Sequence, residues 1–261
     1  MRSYKPGLEA GEFNMEIKQE SIPTKTKIKQ DSIYRRAYIY IALIFIFIFV
    51  GFFPDYFSRL GKTDLVHHIH AIFAMFWMVL VVTQTYLIGH DNVEWHRRLG
   101  KLSFVLAPML VVTALDMVHL ALGRGTTPLS LGDGRIALAY IDVGLLVYFV
   151  LFYSLAIVNR KEFRKHQRFM VSTAFVVIPP ALGRIPFFYM FPGHLSAWMS
   201  EFYAVIFIEI VVLILLYNDW RKNKLYFAYG FSFLFFLFLM ITAHMSLSWH
   251  WWLNFSRFLA G

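Results

Sequence analysis

The sequence predicts an all-α integral membrane bundle of about seven transmembrane helices, with the N-terminus cytoplasmic and the C-terminus outside. Three observations carry that expectation. The chain is 58% hydrophobic and only 16% charged, with a mean hydropathy of +0.55, far from the composition of a soluble domain. Apolar stretches near or above the ~18–20 residues that cross a bilayer recur from one end to the other. The cationic residues collect in every second connection between those stretches. A β-barrel fits poorly, because the runs are continuous rather than alternating segments of about 10 residues.

Taken in order, residues 1–36 are polar and basic, with neither a hydrophobic period nor a signal-peptide core, and read as a flexible cytoplasmic tail. Met15 stands as a candidate natural start, residues 1–14 then being non-native. The bundle is expected over 37–247. Its first span, 38–54, is the shortest but carries no charge and follows a basic segment. The second, 65–89, contains His70, Trp77 and Gln84, and the third, 99–122, opens on WHRRLG. The loop GRGTTPLSLGDGR (123–135) is rich in Gly and turn formers, an exposed connection or else a lid. The fourth span is 136–158. The fifth, 169–190, is interrupted by Pro179, Pro180 and Gly183, which predicts a kink. The sixth and seventh are 197–217 and 225–246. The remainder, 248–261, contains SWHWWLNFSRF and is expected at the membrane interface, where Trp is favoured.

Nineteen of the 25 lysines and arginines fall in the tail and in the connections around 90–101, 159–168 and 218–224. That asymmetry orients a multi-pass protein of a bacterial cytoplasmic (inner) membrane, so the net charge of +9 needs no nucleic-acid partner. Cysteine is absent, which removes disulfides and thiolate ligands. Phosphate loops, dinucleotide fingerprints and nucleophile elbows are absent too.

Ionisable groups inside spans are costly, and therefore mark candidate sites. The topology puts His67, His68, His70, His119, His194, His244 and His250 towards the outside, and His90, His96 and His166 towards the cytoplasm. His70, Trp77 and Gln84 recur every seven residues, a stripe that drifts only about 20° per step and should form an interior wall. At the outer side, Asp116, Asp142 and Glu201 are candidate catalytic carboxylates, and His70, His119 and His244 candidate ligands for a divalent metal, Zn or Fe. Arg184, about five turns after His166, could present a cation to a headgroup, a cofactor's carboxylate or Asp142. At the cytoplasmic side NVEWHRRLGKLSFV echoes EFRKHQRFMVSTAFV, each with a His-X-Arg cluster at the start of an outward-running helix. The arginines are explained by snorkelling to phosphates. A histidine in the same place twice is not.

The ordered set from His70 to Gln84, then WHRRLG, Asp142, KHQRFM and PPALGRIP, resembles a widespread bacterial family of small, uncharacterised polytopic membrane proteins over about 65–190. That resemblance implies a fold and marks residues without naming a reaction. More distantly, the chain is similar to the cytochrome b561 group and to a set of predicted membrane proteins of unknown function. The b561 group holds two b haems between paired histidines. Carried over, His96 and His166 would be one cytoplasm-side pair. His70 would belong to an outer pair whose expected partner is replaced by Asp142, leaving His119 or His244 to substitute.

Three functions follow as expectations. The first is a redox protein holding haem b or another metal, with Trp77, Gln84, His96, His166 and Arg184 around the cofactor and a quinone as partner. The second is a metal-dependent enzyme acting on a lipid or isoprenoid. The third is a non-catalytic accessory or transport protein.

Overall fold

In the computed structural model the structure describes residues 32–124, 127–222 and 226–261. Most of the expected tail, Met15 included, lies outside the described residues, as do two residues of the 123–135 loop. Among the described residues there are helices and no strands. Six helices are long and apolar enough to cross a membrane: α2 (Leu65–Gly89), α3 (Ser103–Gly123), α4 (Gly134–Val158), α5 (Phe163–Met190), α6 (Ala197–Arg221) and α7 (Phe227–Ser246). They are preceded by α1 (Ala37–Phe52), which has 16 residues. At 1.5 Å per residue α1 spans about 24 Å, short of a hydrocarbon core of about 30 Å. The seventh crossing expected from sequence is thus a shorter helix than the other six.

Local chemistry sets several boundaries. The Asp64 carboxylate caps α2 by accepting the His67 N–H at 3.1 Å, and Asp133 caps α4 by accepting the Arg135 N–H at 2.8 Å. Between α2 and α3 lies a separate amphipathic helix, Val93–Gly100, capped by Asn92, whose side chain accepts from the Trp95 N–H. The expected single helix from residue 99 is therefore two, and His96 sits on the short one rather than at the mouth of α3.

The spans form a ring in which α5 is the most buried, touching α1, α4, α6 and α7. One core, with Tyr148, Phe152, Phe169, Ile208, Tyr229 and Phe236, fills the space between α4, α5, α6 and α7. A second, with Ile41, Trp77, Val81, Leu110, Ala174 and Ala181, joins α1, α2, α3 and α5. The outward faces stay apolar, with Leu43, Ile46, Val112, Ile214, Leu234 and Phe238 exposed. A belt of that kind is the surface a bilayer solvates. The protein is thus a helical, multi-pass membrane bundle.

Two ends can be told apart. The basic end holds Arg35, the Val93–Gly100 helix, the start of α5 and the end of α6. The far end holds the α1–α2 connection and the C-terminal helix His250–Ala260. This last helix folds back on α3 and α4: the Trp252 indole donates to the Ile136 carbonyl at 2.7 Å, and Arg257 donates to Leu129 at 2.8 Å. Its other face leaves Trp251 and Phe258 exposed, an amphipathic arrangement suited to an interface.

At the basic end the structure departs from the snorkelling expectation. Arg98 is exposed and pairs with Glu94 at 2.5 Å, but Arg168 is 1% exposed and makes a two-pronged pair with Asp219, both bonds 2.6 Å. Tyr34 and Tyr226 cover its guanidinium, at 4.5 Å and 4.0 Å from their ring centres. Arg168 thus ties α5 to α6 and to the turn before α1.

Candidate functional site

The residues at the basic end assemble from three elements. Gln84 comes from the last turns of α2, His96 from the Val93–Gly100 helix, and His166 from the first turn of α5. The imidazoles of His96 and His166 meet with ring centres 6.3 Å apart and planes at 89°. The His166 Nδ1 lies 2.8 Å from the Ala156 carbonyl oxygen, which can only accept. Nδ1 therefore carries the proton, and Nε2 of His166 is left with a free lone pair. Burial lowers the His96 imidazole below the usual histidine range, and His166 and Arg97 push in the same direction.

Gln84 positions His96. With its amide turned to suit its neighbours, the side-chain oxygen accepts from the Gly100 N–H at 2.9 Å, and the nitrogen donates to the His96 carbonyl at 3.0 Å and faces His96 Nδ1. The stripe on α2 continues inward. Trp77, 1% exposed, stands edge-on to Phe149 at 4.9 Å and to Tyr153 at 5.5 Å, and Tyr153 meets Ser103 across 3.0 Å. The Trp77 indole N–H and the Gln167 amide nitrogen are buried without a partner. At the top of the stripe His70 Nδ1 lies 3.2 Å from the Thr113 hydroxyl on α3. Each of the three thus reaches a different part of the interior.

The far end does not gather as the sequence reading expected. His70 is engaged by Thr113, His119 Nδ1 by the Leu259 carbonyl at 2.6 Å, and His244 stacks against Trp198 at 5.8 Å. The three histidines are claimed by separate elements and do not converge. Asp116 is exposed. Among the described residues no three His, Asp or Glu side chains stand together as a metal ligand set.

Arg184 forms its ion pair with Asp55, Nε to Oδ2 at 2.9 Å, rather than with Asp142. It also donates to the Pro180 carbonyl and lies over the Phe52 ring at 4.2 Å. Asp142 and Glu201 remain within its electrostatic reach. The Glu201 carboxylate rests directly on the backbone of Gly183.

Sequence reasoning missed Asp55, Arg168, Asp219 and Glu209. An acid after the Pro that ends the first span, or inside the basic cluster NDWRK, was the available signal for Asp55 and Asp219. Glu209 was visible as a charge in the middle of a span, and both its carboxylate oxygens are buried without a partner. No known family model, curated protein or solved structure matches this chain.

Proposed function

We propose that the chain is a membrane-embedded redox protein in which His96 and His166 supply two imidazole ligands to one centre at the basic end, haem b iron first and another divalent metal second. The observation that carries this reading is the facing imidazole pair, with ring centres 6.3 Å apart. Two imidazole nitrogens each about 2 Å from one ion would have ring centres within about 6 Å of each other. The chemistry of the neighbours fits as well. A ligating histidine commonly donates its other N–H to a carbonyl, and Ala156 accepts that proton from His166. On the His96 side the Gln84 nitrogen donates towards Nδ1, which leaves the proton on Nε2; ligation through Nε2 would require Gln84 to turn its oxygen to Nδ1, so Gln84 sets the tautomer. A centre bound there supplies one-electron chemistry. The protein's own part is to hold both rings, with the Trp77, Phe149 and Tyr153 cluster packed further along α2. A quinone of the bilayer is the electron partner that such a position favours.

The lysines and arginines of the described connections at this end support a cytoplasmic position for it, and a bacterial inner membrane for the chain. The test is an absorption spectrum and metal analysis of the full chain purified after haem-replete expression. A Soret band that disappears in both H96A and H166A is expected. A chromophore-free preparation without stoichiometric metal removes this reading, and zinc without a chromophore moves it to the second metal.

A further inference from the structure

The far half of α5 is broken where the spans around it bring charge together. Pro179 and Pro180 have no amide hydrogen, and Pro186 opens a stretch of wider helical turn, so backbone bonding is interrupted on both sides of Gly183. Into that gap α6 delivers Glu201, 6% exposed. A Cβ on Gly183 would lie 2.7 Å from the Glu201 carboxyl carbon, so the absence of a side chain is what lets the carboxylate reach the α5 backbone. One Glu201 oxygen, Oε2, is buried with no partner, and so is Oδ1 of Asp55.

The charges around Glu201 do not balance. Asp55 comes from the segment after α1, Asp142 from α4 and Arg184 from α5, while α7 contributes His244 stacked on Trp198, one turn before Glu201. The Arg184 guanidinium already gives its Nε and Nη1 to Asp55 and Pro180, and Glu201 Oε2 is left without a hydrogen-bond donor among the described residues. Charge left unpaired inside a bilayer is costly, and a buried acceptor without a donor adds to that cost. A bound cation relieves both. Broken helices in membrane proteins are the usual place for such a site, because they line it with polar backbone.

We propose that Glu201 and Asp142, held beside the break in α5, form a membrane-embedded site for one monovalent cation, a proton or an alkali ion. No three acidic or imidazole groups stand together as a ligand set among the described residues, so the compensating charge asked of the occupant is a single one. Gly183 is the positioning residue. This site is independent of the His96–His166 centre, which lies at the other end of α5.

The experiment is carbodiimide labelling of the full chain in lipid nanodiscs, mapped by mass spectrometry. Dicyclohexylcarbodiimide adds to a protonated carboxyl in apolar surroundings and leaves a stable N-acylurea. An adduct on Glu201 is expected, its yield falling about tenfold per pH unit above the midpoint of the titration. Insensitivity to sodium chloride identifies the occupant as a proton, and protection by sodium but not by choline identifies an alkali ion. Either result supports the site. No adduct on Glu201 at any pH, with or without sodium, overturns it. In G183A, which displaces the carboxylate, the yield should fall severalfold while the absorbance attributed to the His96–His166 centre persists. An unchanged yield in G183A overturns the positioning role.

Discussion

The His96 imidazole has one nitrogen facing Gln84, and the proton on that nitrogen decides what the other can do. If Nδ1 accepts from the Gln84 amide, Nε2 carries a proton and cannot ligate. If Gln84 turns its oxygen inward, Nδ1 donates and Nε2 is free. Gln84→Leu removes both options and leaves the ring unrestrained, so affinity for the bound centre should fall about 10–100-fold, the usual effect of losing such an orienting partner. Gln84→Glu fixes Nδ1 as a donor to a carboxylate, makes the ligand more basic and should lower the midpoint potential. Cofactor titration and redox potentiometry check the two. A potential unmoved in Q84E would mean that the amide does not orient His96. At this scale the repeated His-X-Arg clusters are the feature of the sequence that pointed to His96 and His166. Arg168 was hidden, because a basic residue at a span's edge reads alike whether it reaches for phosphate or turns inward. Only its partner Asp219, 51 residues along the chain, decides which. Arg184's ion-pair partner was missed for a related reason: of the candidates offered only Asp142 was an acid inside a span, but Asp55, just outside one, makes the pair.

Among the helices, the break in α5 is what the surrounding elements are fitted to. Its Pro and Gly residues announced a kink in the sequence, but not the close approach that the kink permits. Gly51 of α1 packs against the Ala181 carbonyl within the broken stretch, and a Cβ at Gly51 would overlap that oxygen. Backbone cannot move aside as a flexible side chain can. Gly51→Ala should therefore destabilise the protein by about 1–3 kcal/mol, the usual cost of overpacking. Thermal unfolding in detergent measures this, and an unchanged midpoint would mean that α1 is not seated on α5 in the folded protein. The same substitution at Gly230 is a control, since nothing lies within 4 Å of a Cβ there. Element positions were largely legible because apolar runs of this length have few alternatives. The short helix carrying His96 was not. WHRRLG is amphipathic enough to lie along the interface, yet it is continuous in sequence with the apolar run of α3, and a boundary inside such a run leaves little trace.

For the whole molecule, charge decides which end faces which compartment. Among the described residues the basic end holds twelve of eighteen lysines and arginines, and it also holds the His96–His166 pair. Insertion retains such clusters on the cytoplasmic side when they lie in short connections close to the span ends, as those around 90–101, 159–168 and 218–224 do. The buried Arg168 weakens that count by one, since its charge is already neutralised by Asp219. The remaining excess is too large for that to change the outcome. Because the native chain has no cysteine, single replacements report topology without a background. Lys165→Cys at the basic end should resist a membrane-impermeant maleimide in intact spheroplasts and react once the membrane is opened. Thr63→Cys, in the connection leading into α2, should react in both. The opposite pattern would put the His96–His166 pair outside, and would transfer the Glu201–Asp142 site to the cytoplasmic half of the bilayer. Reaction of Lys165→Cys and Thr63→Cys from the same side would mean that the intervening spans cross an even number of times, and would remove one of α2, α3 and α4 from the crossing count. The two residues are separated by α2, α3 and α4, so three crossings require opposite sides, and this pair tests the bundle's topology independently of any cofactor.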